Sequence, residues 1–161
     1  MRGLLQKREY LKSRGERMGP AYLIFGTRCV SEVLFQEEIQ LLVKNKILGK
    51  VYMCYSREPG HKKEYTSDKL RDDRVSKVLG PVLRKPATHV FICGSANMAE
   101  DSKASLACIS SKETLEVMKA EGRMHEDVFG AVVSSSVEKN SQALNDDEPT
   151  ESDSSFTSEE S

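Results

Sequence analysis

The chain has 161 residues, 38% of them hydrophobic, and its 24 Lys and Arg nearly balance 25 Asp and Glu for a formal charge of −1. No apolar run approaches the ~20 residues of a membrane span and the charged N-terminus has no signal-type apolar core, so neither a membrane span nor a secretory signal is expected. The near-neutral total conceals two unlike parts. Gly130 to Ser161 holds eight acidic residues, one lysine and eleven serines and threonines. Such a composition buries too little apolar area to offset chain entropy, so 134–161 is expected to be a disordered acidic tail after a domain at 1–133. Positions 1–129 keep 23 basic and 17 acidic residues, an excess of six positive charges that suits a small anionic ligand.

Arg2 to Arg14 reads as a helix, with Leu4, Leu5 and Leu11 near the spacings of one helical face. Met18-Gly19-Pro20 ends it. Ala21-Tyr22-Leu23-Ile24-Phe25-Gly26 is a continuous apolar run of the kind found in strands buried on both faces. Ser31 is then a candidate cap for a helix that begins at Glu32-Val33 and has Lys44 and Lys46 near its end, in accord with the helix dipole. The next strand is Lys50–Tyr55. A polar, basic stretch from Gly60 to Arg74 leads into a helix over Asp73–Leu83.

Thr88 to Gly94 is expected to be a third buried strand. Helices over Asn97–Ile109 and Lys112–Glu121 and a last strand over Asp127–Val133 complete the pattern. Strands that alternate with helices predict an α/β fold with a doubly wound parallel sheet, whose ligands sit at the carboxyl ends of the strands.

Each strand end carries candidate chemistry. Gly26-Thr27-Arg28, Ser56-Arg57 and Cys93-Gly94-Ser95 would converge on one crevice if they share one sheet edge. Ser56 and Arg57, with Lys63 and Tyr65 following, suit a phosphorylated adenosine. Arginine offers a planar fork to phosphate oxygens, lysine a point charge, serine a hydrogen bond, and tyrosine a face for adenine. A pocket for an unphosphorylated ribose would instead want an acid at that strand end. Taken alone, the same residues read more readily as a polar loop after a strand.

Cys93 is a packed thiol or a group set against a planar ring. Asp127 and Phe129 alternate onto one face, either as a surface acid beside a core ring or as a carboxylate and an aromatic flanking a cofactor. The cysteines Cys29, Cys54, Cys93 and Cys108 have no CxxC spacing and are expected to be buried, reduced thiols, which makes a cytoplasmic location the default. His61, His89 and His125 are too scattered to suggest a metal site.

Taken in order, these segments resemble the C-terminal NADPH-binding region of diflavin reductases, the family of cytochrome P450 reductase and nitric oxide synthase. The resemblance is carried by Leu23 to Arg28, Tyr55-Ser56-Arg57-Glu58-Pro59, Lys62-Lys63 with Tyr65, and His89 to Gly94 with Asn97-Met98-Ala99. It continues through Arg123 to Gly130, where His125-Glu126-Asp127-Val128-Phe129-Gly130 and the tail after it resemble nitric oxide synthase in particular.

It implies that Arg28, Ser56, Arg57, Lys63 and Tyr65 hold the adenine, 2′-phosphate and neighbouring phosphates of NADPH, with Asn97 a further cofactor-binding position. It implies that Cys93 and Asp127 lie beside the site of hydride transfer, that Phe129 shields an FAD ring, and that FMN and a haem acceptor belong to the longer protein. A P450-reductase-like or sulfite-reductase-like protein and a non-catalytic nucleotide-binding fragment are the alternatives.

Ser67 stands where the family has glutamine, and Ser95 where it has an acid. The family's glycine-rich pyrophosphate loop would precede Met1. A partial NADP-binding domain is therefore expected. Its strands would form two pairs on either side of an empty central place, and the chain would be inactive without the flavin domains.

Overall fold

The computed structural model describes residues 1–131; the tail expected over 134–161, and the end of the strand expected to reach Val133, lie outside the described residues. Two parallel pairs of strands organise the fold. The first joins β1 (Tyr22–Thr27) to β2 (Lys50–Tyr55) in the register Leu23 to Val51 and Phe25 to Met53. The second joins β3 (Val90–Ser95) to β4 (Met124–Phe129), with Phe91 opposite His125 and Cys93 opposite Asp127. Among the described residues the pairs are separate two-stranded sheets rather than one continuous sheet.

The first pair is covered on both faces because its side chains are apolar on both. On one face Leu23, with Phe25 and Val51, packs against Leu5 of α1 (Arg2–Ser13), Leu42 and Ile39 of α2 (Gln36–Lys44), and Ile47 and Leu48. α1 is also pinned by polar contacts, since Arg8 Nη2 donates to the Gly19 carbonyl at 2.7 Å and Arg2 pairs with Glu38 at 3.0 Å. On the other face Tyr52, with Tyr22 and Ile24, joins the larger core of Leu70, Val75, Leu79, Leu83, Ile92, Ala99, Leu106 and Met118. Those residues come from α3 (Thr66–Arg71), α4 (Asp73–Leu83), α5 (Ala96–Ile109), α6 (Lys112–Ala120) and β3. Burying one such Leu or Met contributes about 1.5–3 kcal/mol.

Two local features set the approach of these helices. A Cβ on Gly80 would lie 2.7 Å from the Ile109 carbonyl oxygen, so only glycine lets α4 meet the end of α5 this closely. Asp72 caps α4 through its carboxylate, which accepts from the Arg74 amide at 2.9 Å.

Several sequence-based expectations need correction. The helix expected from Glu32 is instead a 3-10 turn over Val30–Glu32, and α2 starts at Gln36 after Phe35 adopts a left-handed φ of 56°. Ser31 caps neither. The polar, basic stretch from Gly60 to Arg74, for which the sequence predicts no element of its own, contains α3. β4 begins at Met124, three residues before the expected Asp127.

β3 is not buried on both faces. Val90 and Ile92 point to the core while Phe91, Cys93 and Ser95 are exposed, because α5 and α6 cover one face of the second pair. The cysteines correct accordingly. Cys54 is fully buried, Cys29 half-buried, and Cys93 and Cys108 exposed.

Candidate functional site

Parallel strands deliver their carboxyl ends to the same edge, and the loops after β1 and β2 stay tied together beyond the ladder. The Ser56 amide donates to the Thr27 carbonyl at 3.0 Å, and the Arg57 amide to the Arg28 carbonyl at 2.7 Å. Arg28 and Arg57 thus lie on neighbouring backbones with exposed side chains, and half-buried Ser56 lies between them in sequence. Arg28 Nε donates to Glu32 Oε2 at 2.7 Å, and that bond raises the arginine's already high pKa. Its planar fork still has further N–H groups to offer an anion.

The chain then turns through Gly60 (φ 74°), a conformation that glycine adopts without steric cost. It returns alongside β2, where the Glu64 amide donates to the Tyr55 carbonyl at 2.9 Å. The return brings Lys63 and Tyr65 to the same end, and Lys63 Nζ lies 4.9 Å from the centre of the Tyr65 ring. An open cleft of about 590 Å³ runs along this segment, lined by Tyr55, His61, Lys62, Lys63, Glu64, Asp68, Arg71 and Asp72. Four basic or titratable nitrogen side chains and three acids share it. Lys69 does not add to its free positive charge, since it is held by Glu64 at 2.7 Å and that bond raises its pKa against the opposing effect of burial.

The second constellation lies on the uncovered face of β3 and β4. Register places Cys93 opposite Asp127 and Ser95 opposite Phe129. Cys93 Sγ is 3.8 Å from Asp127 Oδ2, a weak thiol-to-carboxylate contact. Phe129 is 69% exposed, which is large for an aromatic at a strand end and leaves its ring available to stack.

Gly94 permits this arrangement, because its φ of 154° suits glycine and a Cβ there would displace the tip of the Met98 side chain. Ser95 accepts from the Met98 amide at 3.3 Å and so caps α5, which starts beside the site and carries Asn97 in its first turn. Lower on the same face Phe91 stacks on His125 at 4.5 Å, and His89 Nδ1 lies 3.3 Å from His125 Nε2.

The expected residues therefore fall into two groups, each held by its own strand pair. Arg28, Ser56, Arg57, Lys63 and Tyr65 gather at the ends of β1 and β2; Cys93, Asp127, Phe129 and Asn97 gather at the ends of β3 and β4. Sequence reasoning missed Glu58 and Glu32, the acids that fix the first group. The signals were an acid directly after Arg57 and an acid four residues after Arg28. It also missed the Phe91–His125 stack, which only the register reveals. Among the described residues no cluster of three or more metal-ligating side chains occurs, and no helix is long and apolar enough to cross a membrane.

The model of the oxidoreductase NAD-binding domain family matches residues 1–104. The inducible nitric oxide synthase of Mus musculus is 37% identical over 139 residues, which is 80% of this chain and 12% of that protein. The inducible enzyme of Canis lupus familiaris is 32% identical over 155 residues, 89% of this chain and 13% of its own length. Nitric oxide synthase 3 of Sus scrofa is 30% identical over 141 residues, 80% of this chain and 12% of its own. The chain thus spans about one eighth of the length of the curated relatives it matches.

Proposed function

Given that the chain belongs to the oxidoreductase NAD-binding domain family, we propose that it holds NADPH for a nitric oxide synthase-like diflavin oxidoreductase. In this reading the ends of β1 and β2 grip the 2′-phosphoadenosine half of the cofactor. The ends of β3 and β4 face its nicotinamide. The observation that carries the reading is the pairing of Arg28 and Arg57 on hydrogen-bonded loops, with Ser56, Lys63 and Tyr65 at the same strand ends.

The donor set fits the group. Two guanidinium forks, an ammonium and a hydroxyl match a phosphate dianion, and no acidic side chain of the strand-end loops is left unengaged, since Glu32 is bonded to Arg28 and Glu58 to the Val30 amide. NADPH when bound supplies a hydride, two electrons and one proton, and the protein's task is to bind and orient it. Arg57 and Arg28 would hold the phosphate and Tyr65 would offer its ring to adenine. Cys93 and Asp127 would flank the nicotinamide, and Phe129 would cover the flavin's position until nicotinamide takes its place.

The finer parts of the reading extend beyond the chain. FAD as hydride acceptor, FMN as relay, a haem acceptor domain and a cytoplasmic location follow from the likeness to nitric oxide synthases. So does a doubly wound sheet in which a further strand, bearing the glycine-rich pyrophosphate loop, lies between the two pairs. The unpaired edges of two parallel two-stranded sheets support that architecture.

The test is calorimetry on an Arg57→Ala variant of the full chain. NADP affinity is expected to fall by roughly 10- to 100-fold with NAD affinity unchanged, the loss typical of a charge-assisted hydrogen-bond pair. An unchanged NADP affinity would overturn the assignment.

A further inference from the structure

We propose that Glu58 is a positioning residue for the phosphate grip, tying the loop after β2 to the loop after β1 so that Arg28 and Arg57 are held together. The inference rests on the phosphate pocket proposed above. An acid one residue from Arg57 ought to weaken binding of a phosphate dianion by like-charge repulsion. The geometry gives it a different task. Glu58 Oε2 accepts a 2.6 Å hydrogen bond from the amide of Val30, twenty-eight residues earlier in the chain.

That amide opens the Val30–Glu32 turn and has no carbonyl partner within the turn. The carboxylate is thereby committed to a backbone donor, and Glu58 itself is half-buried.

The bond continues a series. After the ladder ends, Ser56 bonds Thr27 at 3.0 Å, Arg57 bonds Arg28 at 2.7 Å, and Glu58 closes onto Val30 with its side chain. The turn it anchors presents Glu32, whose carboxylate holds Arg28 at 2.7 Å, while the Glu32 carbonyl accepts from Thr27 Oγ1 at 3.5 Å. One carboxylate therefore fixes the backbone beside Arg57 directly and the side chain of Arg28 through the turn. Without it the backbone bonds at Ser56 and Arg57 still join the two loops, but the turn that carries Glu32 loses its anchor, and the spacing of the two guanidinium groups, which a single phosphate must match, is set less closely.

The experiment titrates the full 161-residue chain with adenosine 2′,5′-bisphosphate and with adenosine 5′-monophosphate. Three variants are compared. Glu58→Ala removes the acceptor. Glu58→Gln keeps a side-chain oxygen that can accept from Val30. Val30→Pro removes the donor while leaving Glu58 in place, and it suits the local backbone because Cys29 is extended (φ −146°, ψ 168°) and the first position of the turn tolerates proline.

Glu58→Ala and Val30→Pro are each expected to weaken the bisphosphate about tenfold and leave the monophosphate unchanged, and Glu58→Gln to stay within about threefold of the wild type. Wild-type affinity for the bisphosphate in both Glu58→Ala and Val30→Pro would overturn the assignment, as would equal losses for both nucleotides. Should Glu58→Ala not fold, the Val30→Pro and Glu58→Gln pair decides by the same criterion. A wild-type chain with no preference for the bisphosphate would remove the underlying pocket, and that result is distinct from a preference that the variants leave intact.

Discussion

The two strand pairs have the same length, the same parallel sense and nearly the same register span, yet one is buried on both faces and the other on one. In β1 and β2 the alternation puts Leu23, Phe25 and Val51 against α1 and α2, and Tyr22, Ile24 and Tyr52 against the helices of the main core. In β3 and β4 only Val90, Ile92 and Met124 are packed, and Phe91, His125, Cys93, Asp127 and Phe129 line the open face. The first pair can offer a ligand only its strand ends. The second offers a whole face. In the proposed function the strand ends of the first pair hold the phosphate of a dinucleotide and the open face of the second pair meets its planar ring.

Mutations in the two halves should therefore differ in kind. Leu48→Ala, at a side chain 2% exposed in the core beside β1 and β2, is expected to destabilise the chain by about 2–5 kcal/mol. Phe129→Ala, at a ring 69% exposed, should change stability by less than about 0.5 kcal/mol. Equilibrium denaturation of both variants checks the contrast. Similar losses would mean that the face of the second pair is closed in solution.

Gly80→Ala should cost about 1–3 kcal/mol, because the added methyl meets the Ile109 carbonyl and must push α4 away from α5. A melting temperature unchanged by that substitution would show that the two helices are less closely packed.

Cysteine chemistry separates the halves again. Burial pushes the Cys54 thiol, on the inner face of β2, up to about 12 from an ordinary 9.0. The folded chain then retains a proton that the unfolded chain releases, so this contribution to stability is complete below pH 9 and is lost as pH rises through about 12. Denaturation midpoints of the wild type should fall more between pH 8 and pH 10.5 than those of Cys54→Ala. Alkylation at neutral pH should label exposed Cys93 and Cys108 before Cys54. Equal labelling of Cys54 would contradict the packing of β2.

A change of opposite sign is expected at Tyr52, whose hydroxyl is buried and has no hydrogen-bond partner among the described residues. Tyr52→Phe should be neutral or stabilising by up to about 1 kcal/mol, since it removes a desolvated polar atom and retains the ring. A clear destabilisation would show that the hydroxyl has a partner in solution.

Much of this organisation was legible in the sequence where local signals and tertiary context agree. β2 at Lys50–Tyr55 and α4 at Asp73–Leu83 fall on their expected bounds, since a short apolar run and a strong apolar periodicity each have one structural outcome. The start of α2 was not legible because it depends on Phe35 accepting a left-handed backbone, a choice no propensity favours for a bulky residue. α3 was missed because six residues with one buried side chain, Leu70, give no periodicity to detect. The one-sidedness of β3 was invisible for a different reason. Phe91 and Cys93 have the composition of a doubly buried strand, and only the arrangement of α5 and α6 shows that one face is left open.

In the candidate site the basic and aromatic residues could be named from their order along the chain. The acids that set their geometry could not, because Glu58 acts through a backbone amide far away in sequence.

Parallel titration of the full chain with NADP and NAD tests the account most directly. The two ligands differ only in the 2′-phosphate that Arg28, Ser56, Arg57 and Lys63 are assigned to hold. NADP should bind at least about tenfold more tightly, with a preference that weakens as ionic strength rises. Equal affinities at low salt would contradict the assignment of these strand ends to the phosphate.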